Sequence, residues 1–194
     1  MLIVGIDAAS VETDLLDGRL ACPTCGSGLR PWGYGVEREV RLRVGIERRR
    51  LRRAICRVCG ATHVLVPEDT LLRRRDAVEV VGAALTAKAG GDGHRRIAAD
   101  LGRPESTVRG WLRRFAVMAG ALREHFTRWA HALDPVHDRV SPGGSVLFDA
   151  VEAVGVLGIV AVRRFGPRPV WSLASVVTAG RLLCNTSCLW AQPV

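Results

Sequence analysis

Two cysteine pairs constrain this chain more than any other feature. Cys22-Pro-Thr-Cys25-Gly and Cys56-Arg-Val-Cys59-Gly have the form C-x2-C, with thirty residues between them. Two residues between cysteines let both sulfurs of a tight turn face one ion. The glycine after each pair supplies the positive φ that brings backbone N–H groups toward the sulfurs. Four thiolates close a tetrahedral Zn²⁺ site and leave no position for water, so the expected ion is structural Zn²⁺ held by Cys22, Cys25, Cys56 and Cys59. His63, four residues after Cys59, is expected on a strand beside the site and not as a ligand. Cys184 and Cys188 lack a partner pair and are read as ordinary thiols.

The segment between the pairs is long enough for a β-hairpin. Arg38–Val44 alternates with period two, and Leu51–Cys56 and Thr62–Val66 are the next strand candidates. Nine arginines and two glutamates lie between Arg38 and Arg57, which suits contact with phosphates. Upstream, a short strand over Leu2–Gly5 and a helix over Ser10–Leu16 are expected. Residues 1–67 therefore form an N-terminal segment and a four-cysteine ribbon.

From Arg74 the periodicity becomes helical. Ala77, Val80, Val81, Ala84 and Leu85 recur at three- and four-residue spacing until Gly90 and Gly91. Helices are expected over His94–Leu101 and from Glu105 to about Trp129. Ala98 is small where two helices approach, and Gly102 stands four residues later, where a tight turn needs positive φ. Ile97, Leu101, Val108, Trp111 and Leu112 supply an apolar seam, and Pro104 is tolerated at a helix start. Residues 74–130 thus read as a helix-turn-helix with its second helix suited to the major groove. Glu105, Ser106 and Arg109 are the candidates for base contact. Arg95, Arg96, Thr107, Arg113 and Arg114 are better placed for phosphates.

Charge agrees with a polyanionic partner. The net charge is +9, and only Lys88 of the 28 basic residues is a lysine. Duplex DNA is the expected partner. Asp7 ends the apolar run at residues 2–6 and no basic segment precedes it, so a soluble, cytoplasmic protein with no membrane partner is expected.

A four-cysteine ribbon followed by the segment from Ile97 to Arg114 resembles the N-terminal DNA-recognition region of insertion-sequence transposases. It is more closely similar to an actinobacterial helix-turn-helix family associated with mobile elements. The resemblance runs from Met1 to about Phe126 and implies recognition of DNA at element ends. The chain departs from the transposases after Phe115, where only 79 residues follow. Their acids are Glu124, Asp134, Asp138, Asp149 and Glu152, with no strand pattern to place three carboxylates around two metal ions. No enzymatic activity is expected.

Asp134–Gly144 reads as a linker, and residues 145–194 as a C-terminal helical region with helices over Ser145–Arg164 and Val170–Leu183. The first is apolar around most of its circumference and must be buried, within the chain or against a second copy. The expected fold is mainly α, with a small β ribbon, a helix-turn-helix and additional apolar helices. The expected function is non-catalytic DNA binding, as a regulator or accessory factor of a mobile element. A truncated or split transposase and a ribbon-based protein adaptor are the alternatives.

Overall fold

The computed structural model describes residues 1–136 and 143–184. Among them are six helices and a four-stranded sheet, a mixed α/β architecture. Helix predominates and the sheet is small, as expected, but β1 and the long β2–β3 hairpin make the fold mixed α/β where a mainly α chain was expected. Its order is β1-β4-β3-β2, with β1 Leu2–Val4, β2 Leu29–Arg41, β3 Ile46–Cys56 and β4 Thr62–Pro67. β1 pairs parallel with β4, Leu2 opposite Leu65, while β2–β3 and β3–β4 are antiparallel.

β2 begins nine residues before the expected Arg38, because Pro31, Gly33 and Gly35 do not end the strand. They sit where its register shifts twice against β3, between Pro31 and Tyr34 and between Tyr34 and Glu37. Each shift absorbs one extra residue as a bulge, the setting in which strands tolerate proline and glycine. α1 (Ala8–Leu16) starts at Asp7, whose carboxylate accepts from the Ser10 N–H at 2.9 Å. Glu12 on α1 pairs with Arg52 on β3 at 2.8 Å. Leu15, Cys22, Leu29, Ala54, Cys56 and Leu65 form the small core between this helix and the sheet.

The larger core belongs to the helices: α2 Val78–Ala89, α3 His94–Leu101, α4 Glu105–Leu133, α5 Val146–Phe165 and α6 Val170–Val177. α4 runs longer than expected. Its first half packs on α2 and α3 through Val108, Trp111, Leu112 and Phe115. Its second half packs on α5, with Ala119, Leu122, Phe126 and Ala130 facing Ala150, Ala153, Leu157 and Ala161. α5 therefore buries its apolar face within the chain. α6 stops at Val177 instead of Leu183, and Leu182 and Leu183 reach the core from the turn beyond it. Trp171 on α6 lies over Gly82 of α2 so closely that a Cβ there would stand 2.1 Å from the indole. The expected linker Asp134–Gly144 lies partly outside the described residues, as do Cys188 and the end of the C-terminal region. No helix among the described residues is long and apolar enough to cross a membrane.

Candidate functional site

The thirty residues between the cysteine pairs form β2, the turn and most of β3, so the hairpin returns the second pair to the first. Cys22 and Cys25 lie in a turn just before β2, Cys56 ends β3, and Cys59 lies in the turn to β4. The two turns are built alike. The Cys22 N–H donates to the Ser27 carbonyl at 2.8 Å and the Cys56 N–H to the Ala61 carbonyl at 2.9 Å. Gly26 and Gly60 take φ of +76° and +71°, as the sequence predicts for the residue closing each turn. Backbone N–H groups then point at sulfur: Thr24 toward Cys22 at 3.4 Å, and Val58 and Cys59 toward Cys56 at 3.4 and 3.5 Å.

The four Sγ atoms lie within 4.8 Å of one another. A tetrahedral thiolate centre with metal–sulfur bonds of about 2.3 Å has sulfurs about 3.8 Å apart. Cys22 and Cys59 stand 3.8 Å apart and Cys25 and Cys56 3.4 Å apart, so the donor set fits a structural metal ion. His63 lies on β4 beside the site, as expected, with Nε2 3.3 Å from the Cys22 sulfur. The Met1 nitrogen lies 2.6 Å from its Nδ1. With Nδ1 accepting from Met1, Nε2–H is left to donate to the thiolate.

Protonation is divided unevenly over the sulfurs. The Ser27 backbone N–H and hydroxyl, with Cys56, hold the Cys25 thiol down to about 6. Burial opposes the Cys22 thiolate, but the Thr24 and Cys25 N–H groups and the His63 ring outweigh it and bring Cys22 to about 7. Cys59 is pushed up to about 12 by the sulfurs of Cys56, Cys25 and Cys22, against the Ala61 N–H. Four sulfurs this close cannot all carry negative charge without a cation between them.

The second group of candidates lies around α3 and α4. Gly102 follows α3 in the left-handed conformation, φ +59° and ψ +41°, and the Arg103 N–H donates to the Ala98 carbonyl at 3.0 Å. Ile97, Ala98, Leu101, Val108, Trp111 and Leu112 are buried as the predicted seam. Glu105, Ser106 and Arg109 are exposed on the first two turns of α4, and Arg113 is exposed one turn further. Thr107 is half-buried. Arg114 is half-buried too, folded back so that it donates to the Gly110 carbonyl at 3.0 Å. Arg95 and Arg96 are exposed on α3, where Arg95 lies 3.6 Å from Glu105 and Arg96 3.4 Å from Asp92. Cys184 is half-buried just beyond α6.

Arg103 and Asp76 form an ion pair near these candidates that the sequence did not single out. Arg103 Nε donates to Asp76 at 2.5 Å and Nη2 to the Leu42 carbonyl at 2.7 Å, and both side chains are nearly buried. One guanidinium thus joins the α3–α4 turn, the tip of the β2–β3 hairpin and the segment leading into α2. Arg49 and Arg52 of the hairpin are likewise engaged, with Asp69 and Glu12. Comparison with protein-family models, curated proteins and solved structures gives no match to this chain.

Proposed function

We propose that this protein binds duplex DNA without catalysing a reaction on it, as a regulator or accessory factor of a mobile element, and that its four cysteines hold structural Zn²⁺. The observation that carries the reading is the division of α4. Val108, Trp111 and Leu112 are buried against α2 and α3, while Glu105, Ser106 and Arg109 stand exposed at its N-terminal end. A helix held this way behind a tight left-handed turn suits the reading position of a helix-turn-helix. Arg109 suits the O6 and N7 acceptors of guanine. Arg95, Arg96 and Arg113 lie around it for phosphates, with Thr107 and Arg114 more restricted by burial.

Four thiolates match the preference of Zn²⁺ for a closed tetrahedral sulfur site, and such a site contributes to folding and not to turnover. In the non-catalytic reading Asp149 serves the packing of α5 against α4. It accepts from the Gly143 N–H at 2.7 Å and lies 3.6 Å from Arg123. The mobile-element role is supported by the sequence resemblance.

The test is selection of bound duplexes from a random pool by the zinc-loaded protein at two salt concentrations. Wild type should enrich a motif and lose affinity steeply with salt. Arg109→Ala should weaken binding by about 1–3 kcal/mol and relax specificity at one position. No duplex binding at low salt would overturn the reading.

A further inference from the structure

A second basic feature lies across the Arg103 junction from α4. Between β2 and the segment before α2 there is a cleft of about 440 Å³, lined by Glu37, Arg38, Glu39, Arg73, Arg74 and Arg75. The lining holds four arginines and two glutamates, so it carries excess positive charge even with the Arg74 guanidinium engaged by the Leu183 carbonyl. No ion pair among the described residues joins Arg38, Arg73 or Arg75 to an acid.

Two local features set this cleft apart from a merely solvated basic face. Arg73 has φ of +58°, in the left-handed region where a side chain is disfavoured. It is the third residue of a turn closed by the Arg74 N–H donating to the Leu71 carbonyl at 3.2 Å, a position where glycine is the usual solution. Backbone strain of this kind persists where its surroundings enforce it, and it clusters at binding sites. Arg74 lines the same cleft, and its Nε is buried without a hydrogen-bond partner among the described residues. Its Nη2 donates to the Leu183 carbonyl at 3.0 Å.

The cleft is also fixed relative to the reading helix. The Arg41 N–H donates to the Arg75 carbonyl at 2.6 Å, and the next residue, Asp76, is the carboxylate that Arg103 holds. Arg103 in turn immediately precedes Pro104 and α4. The rigid path from Arg75 to Glu105 therefore runs through one buried ion pair.

We infer that the cleft formed by Arg38, Arg73 and Arg75 binds a backbone phosphate of the same DNA duplex that α4 reads, so that the Arg103–Asp76 junction sets the register between phosphate and base contacts. This rests on the DNA-binding reading above and adds a contact outside the helix-turn-helix. A phosphodiester supplies two anionic acceptor oxygens, which suits a convergence of guanidinium donors. Phosphate contacts position a protein without reading sequence, and that is the division of labour assigned here.

Arg73→Gly separates binding from folding, because glycine relieves the left-handed strain while removing the charge. Its melting temperature should equal or exceed that of wild type. Its affinity for the selected duplex should fall, and the slope of log affinity against log salt should become shallower by about 0.9. Between 50 and 200 mM salt the wild-type advantage then shrinks about 3.5-fold, as one lost phosphate contact requires. Arg38→Ala should reproduce the change in slope, and neither variant should change the enriched motif. A wild-type slope in both variants, with Arg109→Ala still relaxing specificity, overturns the phosphate cleft and leaves the DNA-binding reading intact. Absence of duplex binding by wild type overturns both.

Discussion

The sheet region and the helical region hold themselves together by different means. The larger core, built mainly by the helices, joins thirty buried residues among those described, Phe115, Phe126, Leu85, Leu122 and Trp111 among them, with Val40 of β2 reaching in. The core cluster of the sheet region holds six among the described residues, and two of those are the cysteines Cys22 and Cys56. Apolar burial scales with the surface removed from water, so the helical region can be stable on packing alone. A core as small as that of the sheet gains from a further crosslink, and the four sulfurs are close enough to supply one through a metal ion. The contrast teaches that one chain can hold one region by packing and leave another, an arginine-rich hairpin, to a cluster of four cysteines that could bind a metal.

Removing the metal should break that symmetry with the largest effect of any perturbation. Structural thiolate sites contribute apparent binding free energies of about 10–16 kcal/mol in small zinc domains, more than the sheet core can replace. Chelation, or Cys56→Ser, should expose residues 22–67 to rapid amide exchange while residues 78–133 keep their protection. Hydrogen exchange with residue resolution checks this. Simultaneous loss of protection in both regions would show that the chain folds as one cooperative unit.

The same contrast explains what the sequence revealed. The two cysteine turns and the α3–α4 turn are set by short-range chemistry: C-x2-C-G at Cys22 and Cys56, and glycine at 102 where φ is +59°. Each was readable because its geometry is fixed within five or six residues. β2 was only half readable, since Pro31, Gly33 and Gly35 look like breakers until a partner strand absorbs the register shifts. β1 beside β4, and α5 folded along α4, depend on pairings across the chain that periodicity does not encode. The pairing of Arg103 with Asp76 is of the same kind. Read locally, Arg103 is one more arginine in a basic motif, and its carboxylate lies 27 positions away.

That ion pair gives the next largest effect, because it spans the boundary being compared. Asp76→Ala leaves the Arg103 guanidinium nearly buried without its carboxylate, and breaking such a pair costs about 3–5 kcal/mol. Removing both groups together, as Asp76→Ala with Arg103→Met, should recover much of that loss, since the uncompensated charge disappears. Denaturant melts of the four proteins in this cycle measure the coupling. Additive losses would mean that the junction is held by the surrounding backbone and not by the pair, and would join the two regions more loosely than the geometry implies.

The smallest effect tests whether pH separates the regions as well. His125 is fully buried in α4, with Nε2 2.8 Å from the Val177 carbonyl. Burial lowers its pKa below the ordinary 6.5, the Val177 carbonyl opposes that shift, and the charge of Arg128 adds to it. A histidine with a depressed folded pKa binds fewer protons than the unfolded chain between the two values. Its stabilisation is therefore complete above pH 6.5 and is lost as pH falls through that value toward the folded pKa. The helical region of wild type should accordingly melt at lower temperature at pH 5.5 than at pH 7.5, and His125→Gln should flatten this dependence while keeping a donor for Val177. Acid also releases metal from thiolates, but that loss is common to both proteins and confined to the sheet region. The difference between the two melting profiles isolates the imidazole. An equally steep profile in His125→Gln would move the acid sensitivity of the helices elsewhere and leave metal release as the sheet region's own response.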